Sequence, residues 1–314
     1  MTLQRNVSLK GHSNYKIGGN ALYFFEVSSI DDLKDGLSEF YSEVGGKNKF
    51  PIFILGSGTN VLIDDKGFDG LVIKDEIKLI GPREGRVLKV GAGTLVDELT
   101  NFCIENSLSG FEWAGGLPGT IGGAVRGNAG AFKGETKDSV GRVWSINLEN
   151  FEESERSSDE CEFNYRTSVF KTNAKSEMII SVEFKLQDGD GETIRKLTQE
   201  KIDYRRQRHP LEYPNIGSTF KNIPLEKVPK EVIELFAQSI KNDPFPILPA
   251  AKLLAMADLK GKRVGDAQIS EKHPNFIVNL GNASSEDVKA LIKIAKETIR
   301  DKYHIELEEE IYYL

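Results

Sequence analysis

Two glycine-rich stretches hold the residues whose types and spacing can do chemistry. "GSGTN", residues 56–60, follows the apolar run "FPIFIL". "AGGLPGTIGGAVRGNAGAFKGE", residues 114–135, holds Gly115, Gly116, Gly119, Gly122, Gly123, Gly127, Gly130 and Gly134. Successive backbone N–H groups converge on an anion only where no side chain blocks the approach, and glycine permits that. The first stretch is not GxGxxG, because Val61 stands at the third glycine, and no GK[ST] follows it. Tight turns are therefore the competing explanation for both loops. So much glycine is costly to order. A ligand with more than one phosphate, such as a dinucleotide lying along both loops, would offset that cost.

The elements that must position these loops are short and mixed. "FPIFIL", "LVIK" and "VLKVGAG" read as strands. "TLVDELTNFCIENS" reads as a helix with Thr94 as N-cap and Leu95, Leu99, Phe102 and Cys103 at helical spacing. "MIISVEFKLQ" alternates Ile180, Val182, Phe184 and Leu186, the pattern of a half-buried strand. A helix is expected from about Glu192 to Arg206. The basic, turn-rich "RRQRHPLEYPNIGSTFKN" reads as a junction. Beyond it, Pro229 starts one helix and "PAAKLLAMADLKG" forms another that stops near Gly261. "SSEDVKALIKIAKETIRDKY" has a capping box, Ser284 with Asp287, and an apolar stripe of Val288, Leu291, Ala295 and Ile299. "IELEEEIYYL" reads as a closing strand with Glu306, Glu308 and Glu310 on one face. The chain thus divides into residues 1–205, in subdomains of about 1–75 and 76–205, and residues 206–314.

At 314 residues the chain is long for one core. Its net charge of −7 speaks against a non-specific nucleic-acid binder. Cys103 and Cys161 lack metal-ligand spacing, and His12, His209, His273 and His304 are scattered, so no metal site is expected. Two thiols in a chain this long fit a reducing compartment. No apolar run approaches the roughly 20 residues that span a bilayer, and the first residues lack the apolar core of a signal peptide. A cytoplasmic protein is the expectation.

Seven motifs in order carry a resemblance covering about His12 to Glu310. They are "HSNYKIGGNA", "LGSGTNVLIDDKGFDGLVI", "GLPGTIGGAVRGNAGAFKGE", "YRTSVFK", "GSTFKN", "DAQISEKHPNFIVNLGNAS" and "LEEEI". Together they resemble the bacterial UDP-N-acetylenolpyruvoylglucosamine reductases, flavoenzymes of peptidoglycan synthesis. The resemblance implies an α+β / α/β chain. Its two-subdomain FAD-binding fold would be of the PCMH (vanillyl-alcohol-oxidase-like) type, followed by a C-terminal α/β substrate domain. It implies non-covalent FAD, NADPH as co-substrate, a UDP-sugar bearing an enolpyruvyl group as substrate, and a monomer. "RRQRHPLEYP" fits the shorter members, without the inserted substrate loop.

Residue roles follow from the same resemblance. Gly56, Ser57, Gly58, Thr59 and Asn60 would cradle the diphosphate. Pro118, Gly119, Thr120, Ile121, Gly122 and Gly123 would line the other side of the cofactor, with Val182 also against it. Arg166 would be the fixed cation facing the substrate carboxylate. Ser218 would protonate carbon. Glu310 would donate a hydrogen bond to the enolate as a protonated acid, since a charged carboxylate there would repel the intermediate. Asn222 matches a substrate-contacting position, and Lys221, Arg205 and Arg208 are basic candidates for the diphosphate. His273 and Asn275 match a region near the nucleotide end. Asn20, Ala255, Asp266 and Glu309 depart from the family pattern at positions given no catalytic role. Another oxidoreductase of the same FAD-binding superfamily and a non-catalytic nucleotide-binding protein are the rival readings.

Overall fold

β-Branched and aromatic residues after Pro51 form the strand Ile52–Leu55, and those after Lys66 form Phe68–Asp75. The two pair in parallel, Leu55 opposite Lys74. They lie in a four-stranded sheet ordered Gln4–Ser8, Asn20–Val27, Phe68–Asp75, Ile52–Leu55. The helix Ile30–Val44 starts where the Asp32 amide donates to Ser29 Oγ at 3.0 Å and stops at left-handed Gly45. Its Leu33, Leu37 and Phe40 share a core with Phe25, Val27, Leu71 and Ile73.

The computed structural model describes residues 2–314, which fall into two units. The first comprises residues up to Val7, Ala21–Ser57 and Asp69–Arg205. Besides the sheet above it holds an antiparallel one of five strands, ordered Glu153–Ser157, Val140–Asn147, Glu177–Lys185, Val87–Gly91, Ile80–Glu84. The strand Glu177–Lys185 is not the simple alternation expected, since Met178 through Val182 are all buried. Trp144 pairs Ser181 and Ser145 pairs Ile179, so Ile180 is the extra residue of a bulge. The phase change sends Met178 and Ile180 into one core and Val182 and Phe184 into another. The helix Val96–Glu105 is capped at Leu95, whose amide donates to Glu98 Oε2 at 2.8 Å. Thr94 is not the cap, because its hydroxyl is engaged with the Leu79 backbone. The expected helix near 192–206 runs Gly191–Arg208.

The second unit comprises Ser8–Asn20, Gly58–Phe68 and Arg206–Leu314. The segments 8–20 and 58–68 therefore pack with the C-terminal stretch, whereas the sequence reading kept them with residues 1–205. The reason lies in their side chains. Tyr15, Ile17 and Leu62 join the core of Phe220, Leu253, Leu291 and Leu307, and the Tyr15 hydroxyl donates to Ile277 O at 2.8 Å. The helix Ser285–Tyr303 has the expected reciprocal cap, the Asp287 amide on Ser284 Oγ and the Ser284 amide on Asp287 Oδ2. The helix Ala250–Met256 stops five residues before Gly261. The expected closing strand shrinks to Tyr312–Tyr313, parallel to Val61–Leu62, plus an isolated bridge of Phe220 to Glu309. Ile305 and Leu307 are still buried while Glu306 and Glu308 are exposed, so the period of two survives without a full ladder.

No helix is long and apolar enough to cross a membrane among the described residues. Nor does any group of three or more His, Cys, Asp or Glu side chains there stand close enough to hold a metal ion.

Candidate active site

Residues 56–60 form a bend directly after the strand Ile52–Leu55. A Cβ on Gly56 would lie 2.5 Å from Thr120 Oγ1, so glycine lets the second loop close on the first. Gly58 has φ +64, and a Cβ there would stand 2.2 Å from His12 O. Both glycines are thus required by the protein's own packing. The ligand signal lies in the amides. Those of Ser57, Gly58 and Thr59 have no acceptor among the described residues, although these residues are half-buried or buried. Consecutive backbone donors left without partners suit an anion.

The second loop offers shape more than donors. Thr120 caps the helix Ile121–Gly127, its Oγ1 accepting from the Gly123 amide at 3.3 Å. The amides of Ile121, Gly122 and Ala124 donate to Thr94 O, Ala92 O and Thr120 O. Gly119 has φ +129, and Pro118 beside it is exposed. Gly123 is exposed too, and an added Cβ would meet only Thr120 Oγ1, at 3.5 Å. Val182 is different. Its side chain is fully buried and its backbone is paired with both Val143 and Val90. No open face remains for the cofactor contact expected of it.

Arg166 hangs over this loop, its Nη2 donating to Gly130 O at 2.7 Å. It sits at φ +56, unusual for a residue with a side chain, and is held by the Asn164–Thr167 bridge and by Lys171 Nζ on its carbonyl at 2.6 Å. Arg205, also in the first unit, is 7% exposed. It donates from Nε to Gly115 O at 2.9 Å, while its buried Nη2 has no acceptor. Burial lowers its guanidinium to about 10, with Asp97 opposing. These contacts make it a brace beneath the second loop.

In the second unit the half-buried Ser218 follows Gly217, whose φ is +81. The Glu310 amide donates to Thr219 O at 2.8 Å, and the Lys221 amide to Glu308 O at 2.8 Å. This bridge brings the Ser218 and Glu310 segments together. Asn60 fixes the far side, with its Nδ2 on Glu310 O at 3.1 Å and the Tyr312 amide on its own carbonyl at 2.9 Å. Asn275, expected at the nucleotide end of the substrate, is 3% exposed. Its side chain accepts from the Phe220 amide at 3.0 Å and donates to Phe220 O at 2.8 Å. It is a buried brace for the Ser218 segment. Lys221 is paired with Glu308, which takes up the charge expected for a diphosphate. Asn222 Oδ1 accepts from the Ala250 amide at 3.2 Å. His273 packs on His209 and Phe276, its Nδ1 buried without a partner. Burial lowers it to about 4, so it is neutral at pH 7.

Residues 22–146 match a family described as FAD binding domain, and residues 209–314 match the C-terminal domain of UDP-N-acetylenolpyruvoylglucosamine reductase. The reductase of that name from Clostridium novyi is 32% identical over 98% of this chain and 91% of its own length. That from Carboxydothermus hydrogenoformans is 37% identical over 96% and 90%. The chain belongs to the UDP-N-acetylenolpyruvoylglucosamine reductase family. The crystal structure of the reductase from Thermus caldophilus superposes with a TM-score of 0.77 at 28% identity, covering 100% of this chain and 99% of that one. This is the mixed α/β reductase fold, with FAD as cofactor. The free amides of residues 57–59 and the open face of Gly123 fit that dinucleotide.

Two departures from the family pattern have local explanations. Asp266 pairs with Arg263 at 3.1 Å and accepts from the Asn282 amide at 3.1 Å, which occupies both carboxylate oxygens. Glu309 joins Lys296 at 2.6 Å and the Tyr313 hydroxyl, a tie on the residue next to Glu310. The sequence reading missed Asn215, whose Oδ1 accepts from the Gly217 amide at 3.0 Å. It also missed the buried Asp75. An acidic residue ending the apolar run "LVIK", one strand from a glycine loop, was the signal available for Asp75.

Proposed function

We propose that the protein is an NADPH-dependent flavoprotein reductase that converts UDP-N-acetylenolpyruvoylglucosamine to UDP-N-acetylmuramate for peptidoglycan synthesis. The observation that carries this is the Glu310 amide on Thr219 O. It joins the serine and glutamate segments in a chain related almost end to end to reductases of that name. FAD, when bound and reduced, supplies hydride. Ser57–Thr59 would hold its diphosphate by backbone amides, with Asn60 closing that loop and Pro118–Gly123 lining the other side, without a covalent link.

The substrate has a carbon–carbon double bond conjugated to a carboxylate. Hydride addition at the terminal carbon drives negative charge onto its neighbour and into a group that is already anionic. Arg166 meets that charge with a permanent, forked cation. Glu310 donates a hydrogen bond to the enolate oxygen. Ser218 passes a proton to carbon, and because a hydroxyl is a weak acid a water relays a replacement. Asn222 and His273 face the UDP portion, the neutral imidazole as a hydrogen-bonding group. Residues 1–205 would bind cofactor and 206–314 substrate, in a cytoplasmic monomer. The two free, buried cysteines support the compartment.

The test is anaerobic. Purified protein is expected to be yellow, to bleach with NADPH, and to regain colour when the enolpyruvyl sugar nucleotide is added. Recovery with oxygen alone would mark an oxidase. Colourless protein that takes up no FAD would mark a nucleotide-binding protein without this chemistry.

A further inference from the structure

We propose that Asp75 is a further cofactor-contacting residue, a buried carboxyl set where the two glycine loops meet that donates a hydrogen bond, as a neutral acid, to the dinucleotide's diphosphate. This rests on the placement of FAD along those loops given above.

Three observations converge inside the first unit. The parallel register pairs Leu55 with Lys74, so Asp75 ends its strand beside Gly56, where the first loop begins. Thr120 of the second loop closes on Gly56. Asp75 Oδ2 lies 3.6 Å from where a Cβ on Gly122 would stand, so the carboxyl is aimed at the face of the second loop. The side chain is only 4% exposed. Oδ1 accepts from the Ile77 amide at 3.0 Å, and Oδ2 has no partner among the described residues.

A buried carboxylate needs a cation or several donors. Asp75 has neither. Its neighbour Lys74 is paired with Glu76, which also holds Lys78. From the adjoining elements, Ile52–Leu55 carries no charged residue, Asn20–Val27 carries the exposed Glu26, and Ile121–Gly127 carries Arg126 in its last turn. Burial therefore pushes the Asp75 carboxyl up to about 7; the Ile77 amide and Lys74 oppose the rise, and Glu76 adds to it. A neutral carboxyl with one oxygen spoken for has a proton to give, and phosphate oxygens are acceptors only. An ionised Asp75 would instead face the diphosphate as a like charge. A ribose hydroxyl as the partner would favour the ionised form and the opposite pH dependence.

Flavin release on dilution of the holoenzyme, read by the rise of free-flavin fluorescence between pH 6 and 8.5, tests this. The dissociation constant is expected to rise by up to about tenfold for each pH unit above about 7. Asp75→Asn, whose amide still donates, is expected to hold FAD with that slope erased. Asp75→Leu is expected to release FAD at least tenfold more readily at pH 6. A slope unchanged in Asp75→Asn, or a wild-type constant that is flat or falls with pH, overturns the proposal. Gly123→Leu separates the two levels, because the side chain has room in the folded protein but enters the cradle. If it folds and purifies without flavin while Asp75→Asn keeps the slope, only the Asp75 assignment fails. If Gly123→Leu retains FAD as the wild type does, the placement of the cofactor fails and Asp75 with it.

Discussion

Asn60 serves two segments at once. It ends the loop whose amides at residues 57–59 have no acceptor among the described residues, and it holds the backbone on both sides of Ile311. Asn60→Ala is expected to slow the substrate half-reaction by up to roughly tenfold, on the scale of one lost side-chain hydrogen bond, while NADPH still reduces the flavin at its usual rate. Stopped-flow absorbance of each half-reaction separates the two. Asn275→Ala leaves both backbone groups of Phe220 without their side-chain partner, so it is expected to cost about 2–4 kcal/mol in urea unfolding. Burial raises the folded Asp75 carboxyl from 3.8 to about 7. Between those values the folded protein binds more protons than the unfolded chain, so stability falls as pH rises from about 4 to 7. In flavin-free protein this group accounts for a loss on the order of 4 kcal/mol, which Asp75→Asn removes from a melting-temperature series. The family resemblance of the ordered motifs nominated Ser218, Glu310 and Arg166, which residue type alone does not single out. Whether a polar side chain faces a ligand or braces a backbone was not legible, since Asn275 differs from an exposed asparagine only in burial, a tertiary property.

At the scale of elements, local chemistry was a good guide where it is self-contained. Ser284 and Asp287 cap each other across one turn, and the apolar stripe of Ser285–Tyr303 follows from helical geometry alone. Ser284→Ala is expected to cost about 1 kcal/mol, and Leu291→Ala about 2–5 kcal/mol, both read from urea midpoints. The strand Glu177–Lys185 was harder. Its bulge at Ile180 is decided by the register against Trp144 and Ser145, which lie more than thirty residues away. The terminal segment failed for a related reason. Its alternation is real, but among the described residues strand partners are found at Phe220 and at Val61–Leu62, so the pairing stays that short.

Over the whole molecule, the junction near residue 205 was visible as a change from glycine-punctuated strands to basic, turn-rich sequence. The excursions 8–20 and 58–68 were not visible, because nothing local marks which core Tyr15, Ile17 and Leu62 enter. They have a consequence for truncation. A fragment of residues 206–314 lacks those side chains, and Tyr312–Tyr313 loses its parallel partner. That fragment is expected to show poorly dispersed amide resonances and no cooperative thermal transition; a sharp transition would place its core elsewhere. The most direct test of the central claim is anaerobic stopped-flow on Ser218→Ala. Bleaching by NADPH should proceed at the wild-type rate, while recovery of colour on adding the enolpyruvyl sugar nucleotide should slow by at least about 10²-fold. Equal slowing of both steps, or recovery at the wild-type rate, would contradict the account.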